Sequence, residues 1–118
     1  MGRLTTHILD LHSGRPAQGV KIELLRLLPG HTDQIIRTCV SNADGRTQDP
    51  LLSQVEYQPG QYELQFHIGE YFARLNIIST DNAFLDVVPI RFRLTEPQGH
   101  YHVPLLTTPW AYSTYRGS

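Results

Sequence analysis

The sequence predicts an all-β sandwich made of short strands. Over 118 residues, apolar segments recur and are separated by turn signals at the spacing typical of a sandwich. The clearest alternation lies in residues 61–68, where every second side chain is apolar. The length suffices for one hydrophobic core and not for two, so we expect a single domain over residues 1–118.

Gly, Pro, Asn and Asp mark the ends of the strands predicted in the first half of the chain. These four residue types favour turns because they set unusual backbone angles or hydrogen-bond to their own backbone. The predicted strands are residues 4–11 before the loop at 13–16, residues 20–28 before Pro29-Gly30, residues 34–41 before the tight turn at 42–45, and a short piece at 51–55 between Asp49-Pro50 and residues 58–60.

The second half of the chain contains the one expected helix. In residues 69–76, Tyr71, Phe72 and Leu75 have the spacing of one or two helical turns. The remaining strands are expected at residues 61–68, 87–94, 101–106 and 112–115, which brings the total to seven or eight.

Composition excludes several classes of function. The net charge of −1, with Lys and Arg dispersed, argues against nucleic acid or an anionic membrane as the main partner. The single cysteine, Cys39, cannot form an internal disulfide. No apolar run approaches the ~20 residues that span a bilayer, and the start of the sequence lacks a signal-peptide hydrophobic region. We therefore expect a soluble cytoplasmic protein.

Two predicted strands are partly apolar on both faces. In the first, Thr6 and Ile8 oppose His7 and Leu9, and residues 101–106 show a similar pattern. A sheet that faces water is usually polar on its outer side, so something should cover the second face. A further subunit is the economical cover, although scattered apolar side chains also occur on monomers.

The sequence lacks the parts of a nucleophilic enzyme, but it has six histidines. There is no Gly-x-Ser-x-Gly elbow, phosphate-binding glycine loop or dinucleotide fingerprint. His12, His31 and His67 lie at loop edges or on a polar strand face and are best explained as solvated. His100 and His102 could hold zinc only with a third ligand that is not obvious, so we expect neither a metal nor another cofactor.

His7 and His102 are the stronger candidates, because each interrupts an apolar strand. A lone histidine in such a strand is more often a hydrogen-bonded core residue than a catalyst. Arg46 follows the tight turn at Asp44-Gly45, where a solvated hairpin arginine is the simpler explanation. The chain closes with residues 115–118, Tyr-Arg-Gly-Ser, which place a phenol, a guanidinium and a hydroxyl beside an α-carboxylate.

Taken together, these motifs resemble those of the 5-hydroxyisourate hydrolases of the transthyretin-related family. The resemblance covers nearly the whole chain, and the ending and the strand of His102 are its most specific parts. The matching segments are Leu4-Thr5-Thr6-His7-Ile8-Leu9-Asp10, Gly14-Arg15-Pro16-Ala17, Asp44-Gly45-Arg46, Pro59-Gly60, Tyr62-Glu63-Leu64, Val88-Pro89-Ile90-Arg91-Phe92, Tyr101-His102-Val103-Pro104-Leu105-Leu106 and Tyr115-Arg116-Gly117-Ser118.

The resemblance implies a transthyretin-like sandwich of two four-stranded sheets with one short helix. It also implies a homotetramer whose active sites lie in a central channel at the subunit interface. Its catalytic residues map onto His7, Arg46 and His102, and its substrate-binding residues onto Tyr115, Arg116 and Ser118. No metal or cofactor takes part.

The implied reaction belongs to urate degradation in purine metabolism. Water attacks 5-hydroxyisourate directly, assisted by histidine and arginine, and yields 2-oxo-4-hydroxy-4-carboxy-5-ureidoimidazoline. Which histidine is the base stays open. The alternative is a transthyretin-like protein that binds a small hormone-type molecule without catalysis, for which this set of polar side chains is poorly suited.

Overall fold

The computed structural model describes residues 2–117, which form eight strands and one α-helix. Their bounds are β1 Arg3–Asp10, β2 Arg15–Pro16, β3 Lys21–Leu27, β4 Gln34–Val40, β5 Gly60–His67, α1 Ile68–Arg74, β6 Val87–Leu94, β7 His100–Thr107 and β8 Tyr112–Thr114, with a 3₁₀ turn at Thr80–Asn82.

The strands form two four-stranded sheets. The first sheet has the order β2-β1-β7-β8 and the second the order β4-β3-β5-β6. All neighbours are antiparallel except β1 and β7, which run parallel from the Arg3–His100 pair to the Asp10–Thr107 pair. The predicted fold class, two four-stranded sheets with one short helix, is therefore confirmed.

The core lies between the two sheets and is built by the period-two pattern of the strands. In β5, Tyr62, Leu64 and Phe66 are fully buried, and Leu4 and Ile8 of β1 meet them from the other sheet. Full burial of such a side chain contributes about 1.5–3 kcal/mol relative to leaving it exposed. The same alternation points the intervening residues of β1 and β7 away from the core, and the candidate histidines are among them.

The helix begins one residue earlier than predicted, at Ile68, which packs in the core instead of ending the strand. Tyr71 and Phe72 are buried against the sandwich. The helix ends before Asn76, which has a left-handed φ of 60° that stops the helix.

Two local expectations were wrong. Residues 51–55 do not form a strand, because only Leu52 pairs, in an isolated bridge with Leu4; Leu51 and Leu52 are both fully buried. Conversely, Arg15 and Pro16 lie in a stretch expected to be a loop but form the short edge strand β2 against β1.

Within residues 2–117, no helix has the length and apolar character needed to cross a membrane.

Candidate active site

His7 and His102 lie on the outer face of the first sheet. Thr5 pairs with His102 and His7 with Pro104 across the parallel β1–β7 ladder. Residues 6 and 8 of β1 and residues 101, 103 and 105 of β7 are buried in the core. Because side chains alternate along a strand, the two histidines project from the opposite face, one diagonal step apart, and both are half-buried.

The turn after β4 is fixed against β1 and carries Arg46. The Asn42 side-chain oxygen accepts the amides of Asp44 at 2.9 Å and Arg46 at 3.2 Å. Gly45 has a φ of 73°, and its carbonyl accepts the Ile8 amide at 2.8 Å. A side chain at Gly45 would clash with the Ile8 carbonyl, so this close approach requires glycine. The turn thus holds Arg46 beside the residue that follows His7.

The charge of Arg46 affects the pKa values of both His7 and His102. Burial, followed by the positive charge of Arg46, lowers the pKa of His7, and the nearby Asp44 partly opposes this. Burial and then Arg46 also lower the pKa of His102, with smaller contributions from His7 and His100. Both imidazoles are therefore neutral at pH 7, the form in which a histidine can accept a proton.

An open cleft of about 450 Å³ borders Arg46 and His102. Thr5, Arg3, His100 and Asp49 are also among its walls. His7 does not line this cleft in the single chain, although it influences the pKa of His102. This volume is in the range of sites that bind small molecules, so a small polar ring fits.

His102 has a hydrogen-bond partner that the sequence did not reveal. The hydroxyl oxygen of Thr5 lies 2.9 Å from Nδ1 of His102. The two residues are 97 positions apart in the sequence. Only the parallel pairing of β1 with β7 brings them together, and no local sequence pattern indicates that pairing.

His100, two residues before His102 on β7, is hydrogen-bonded to Arg3. Arg3 donates a hydrogen bond from Nε to Nε2 of His100 at 3.2 Å. Among residues 2–117, no three His, Cys, Asp or Glu side chains come together in a group that could hold a metal ion. The Arg3–His100 pair instead adds positive character to one wall of the cleft.

The end of the chain is attached to the strand of His102. The Gly117 amide donates a 2.7 Å hydrogen bond to the His102 carbonyl, and the two residues form an isolated bridge. A Cβ atom at Gly117 would lie 2.8 Å from Cδ2 of the imidazole. Ser118, a predicted substrate-binding residue, lies outside the described residues.

Tyr115 and Arg116 do not enter the cleft in the single chain. The Arg116 guanidinium lies 4.1 Å from the centre of the Tyr101 ring and 3.2 Å from a Glu96 carboxylate oxygen. Tyr115 is 59% exposed and lines a separate groove with Tyr101 and residues of β6. Of the predicted site residues, the structure therefore brings together His7, Arg46 and His102, with the backbone of Gly117 beside them.

The remaining histidines lie elsewhere. His12 and His31 are exposed. His67 lies on the second sheet, where its Nε2 is 2.6 Å from a Glu23 carboxylate oxygen. None of the three borders the cleft of Arg46 and His102.

This arrangement suits the addition of water to a carbonyl group. A neutral imidazole can take a proton from water, and a fixed guanidinium can stabilise the oxyanion that then forms. Cys39 lies on β4 of the other sheet, and burial raises the pKa of its thiol, so it is a poor nucleophile. General-base chemistry at the histidines is the activity that the geometry supports.

Comparison with known proteins identifies a family and a relative of similar length. The model of the HIUase/Transthyretin family matches residues 4–117. The chain is 51% identical to 5-hydroxyisourate hydrolase 2 of Rhizobium meliloti over 117 residues, which cover 99% of this chain and 97% of that protein.

The solved structures that share the fold include the following two. An (S)-allantoin synthase superposes with a TM-score of 0.91 at 45% identity over 99% of this chain, which spans only 44% of that longer chain. Transthyretin from Sparus aurata superposes with a TM-score of 0.85 at 28% identity, covering 98% of this chain and 96% of that one.

Proposed function

The chain belongs to the HIUase/Transthyretin family, and we infer that it is a 5-hydroxyisourate hydrolase. The observation that carries this function is the grouping of two imidazoles with lowered pKa values around the Arg46 guanidinium. The hydrolase from Rhizobium meliloti supports it at 51% identity over nearly the full length of both proteins.

The chemistry requires a base and an oxyanion donor. A histidine, either His7 or His102, takes a proton from water, and the resulting hydroxide attacks the ring acyl carbon of 5-hydroxyisourate. The carbonyl oxygen becomes an oxyanion, which Arg46 stabilises with its planar guanidinium. The acyl C–N bond then breaks, and the protonated imidazole gives its proton to the leaving ring nitrogen. The new carboxylic acid loses the second proton of the water to solvent, which leaves a carboxylate on 2-oxo-4-hydroxy-4-carboxy-5-ureidoimidazoline.

If water attacks the substrate directly, the reaction needs no nucleophilic side chain and forms no acyl-enzyme. An acyl-enzyme would require an activated Ser, Thr or Cys hydrogen-bonded to a base. Thr5 does approach a histidine at Nδ1. In the tautomer that leaves Nε2 free to take a proton from water, Nδ1–H donates to the Thr5 hydroxyl and does not activate it as a nucleophile. Thr5 also lines the cleft, where its hydroxyl is suited to hold the imidazole ring of His102 in place.

The substrate-binding roles of Tyr115, Arg116 and Ser118 form a further part of the proposal. Tyr115 would stack on the flat substrate, Arg116 would bind its carbonyl groups, and Ser118 would orient the substrate or an imidazole through its hydroxyl or carboxylate. The supporting observation is the bond between Gly117 and His102, since it ties this segment to the catalytic strand. In the single chain Tyr115 and Arg116 face another groove, so their roles depend on assembly.

We propose a homotetramer in the cytoplasm, with sites at the subunit interface. The outer face of the first sheet supports this assembly because it is not polar throughout. Leu9 and Leu106 are half-buried there, between the side chains that point to solvent. A second copy over this face would cover these side chains and close the open cleft into a channel.

Hormone-type binding without catalysis is the competing function, because transthyretin shares the fold. A carrier of apolar ligands favours an apolar lining, whereas this cleft is bordered by Arg3, Arg46, His100 and His102. The two functions differ in one optical assay. We expect the protein to accelerate the decay of 5-hydroxyisourate, generated in place by urate oxidase, above its spontaneous rate. A carrier would leave the rate unchanged.

A further inference from the structure

We propose that Thr5 is a positioning residue that fixes the orientation and tautomer of His102, leaving Nε2 as the unprotonated nitrogen that faces the cleft. This inference rests on the proposed hydrolase function and deepens it, because it identifies which nitrogen of which histidine receives the proton from water.

The first support is the geometry of the imidazole. Thr5 Oγ1 lies 2.9 Å from Nδ1, on one edge of the ring. Gly117 lies against the opposite edge, so close that a Cβ there would be 2.8 Å from Cδ2. The ring is thus held between β1 and the end of the chain. The two atoms left at its tip, Cε1 and Nε2, point away from the sheet.

The second support is the rigidity of Thr5, the residue that holds the ring. Thr5 lies in the middle of the β1–β7 ladder and is paired directly with His102. Threonine is branched at Cβ, which restricts rotation about χ1 and keeps the hydroxyl in place. A hydroxyl on a central strand loses less conformational freedom when it binds an imidazole than a hydroxyl on a loop does, because the strand already fixes its position.

The direction of the hydrogen bond follows from the chemistry. A neutral imidazole carries one proton, and a base at Nε2 needs that proton on Nδ1. The Thr5 hydroxyl therefore accepts from Nδ1–H, and its own proton is directed to solvent in the cleft. Burial, followed by the positive charge of Arg46, disfavours a second proton on the ring, with smaller contributions from His7 and His100. When water attacks, Nε2 takes its proton and the ring becomes a cation that Thr5 still holds at Nδ1.

The sequence offers a closely matched set of variants. Thr5→Val keeps the shape and the branched Cβ but removes the hydroxyl, and Thr5→Ser keeps the hydroxyl. Thr38→Val makes the same chemical change on β4 of the other sheet, at an exposed position. Circular dichroism and thermal unfolding would establish that all three variants are folded.

Steady-state kinetics with 5-hydroxyisourate are the first readout. We expect Thr5→Val to lower kcat by roughly 10- to 100-fold with little change in KM, because a misplaced base costs about this much. Thr5→Ser should retain most of the wild-type kcat, and Thr38→Val should match the wild type. Wild-type kcat in Thr5→Val, or an equal loss in Thr5→Ser, would overturn the proposal.

A second readout does not depend on turnover. Long-range ¹H–¹⁵N correlation spectra of ¹⁵N-histidine-labelled protein distinguish a protonated ring nitrogen from an unprotonated one. We expect His102 to carry its proton on Nδ1 in the wild type and to lose this preference in Thr5→Val. A wild-type proton on Nε2 would overturn the assignment. A folded wild type without hydrolysis would refute the proposed function instead, while the spectra would still report on Thr5.

Discussion

The backbone amide of Gly117 donates a 2.7 Å hydrogen bond to the carbonyl of His102. The end of the chain therefore lies along β7 at the position of a candidate catalytic histidine. This contact leaves no room for a side chain, since a Cβ at Gly117 would be 2.8 Å from Cδ2 of the ring and 3.2 Å from its Cβ. Glycine at this position is explained by the imidazole beside it and not by an unusual backbone angle.

Gly117→Ala should consequently displace the His102 ring without unfolding the protein. We expect kcat to fall by roughly 10- to 100-fold, the cost of moving a catalytic group by about 1 Å. Thermal unfolding should stay close to the wild type, because few buried contacts depend on this residue. Full activity in Gly117→Ala would show that the ring does not need its present position.

The period-two pattern was sufficient to locate most strands. Residues 87–94 were predicted with the bounds that β6 has, and β5 differs from its prediction by one residue at each end. The pattern failed where burial was not periodic, as at Leu51 and Leu52. It also missed β2, because a strand of two residues has no period to detect.

The candidate site was predictable only in part. The resemblance to a family identified His7, Arg46 and His102 as candidate catalytic residues. Without it, they would be interpreted as hydrogen-bonded core histidines and a solvated arginine. The contact of Thr5 with His102 was not predictable, because it depends on a parallel pairing between strands 97 residues apart. The stacking of Arg116 on Tyr101 was also not predictable from the sequence, because no local sequence pattern indicates which residue the terminal segment contacts.

Activity should decline only in acid well below neutral pH. The pKa of both His7 and His102 is lowered from the ordinary value of 6.5, first by burial and then by Arg46. A lowered pKa keeps the imidazole neutral to lower pH, so the basic form persists at pH 6.5 and is lost beneath it. We expect the acidic limb of the kcat/KM profile to have its midpoint below 6.5.

Arg46→Gln should move that limb toward higher pH, because it removes a positive charge that disfavours the protonated imidazoles. This shift should accompany the loss of rate expected for the oxyanion donor. An acidic limb at or above pH 6.5 in the wild type would contradict the electrostatic description of the site.

An extension after Ser118 should impair hydrolysis more than the same extension before Met1. It adds chain to the segment that Gly117 ties to His102, while the core and both sheets remain intact. Deletion of residues 116–118 should likewise leave a folded protein with severely reduced turnover. Both can be checked by comparing kcat with thermal unfolding, and equal activity from the two tagged forms would exclude a role for the terminus.

The protein should be a tetramer at micromolar concentration. The partly apolar outer face of the first sheet would otherwise remain in water, and the open cleft at Arg46 and His102 would lack its opposite wall. Multi-angle light scattering measures the mass directly. A monomer with full hydrolytic activity would refute the interfacial site.

The most direct test of the account is the rate at which 5-hydroxyisourate absorbance decays with His7→Ala, Arg46→Ala and His102→Ala. We expect each variant to keep the fold and mass of the wild type and to lose roughly 100-fold or more in kcat, the lower bound for loss of a general base. His12→Ala and His31→Ala, at exposed positions outside the cleft, should match the wild type. Wild-type rates in the first three variants, or an equal loss in His31→Ala, would contradict the assignment of this site.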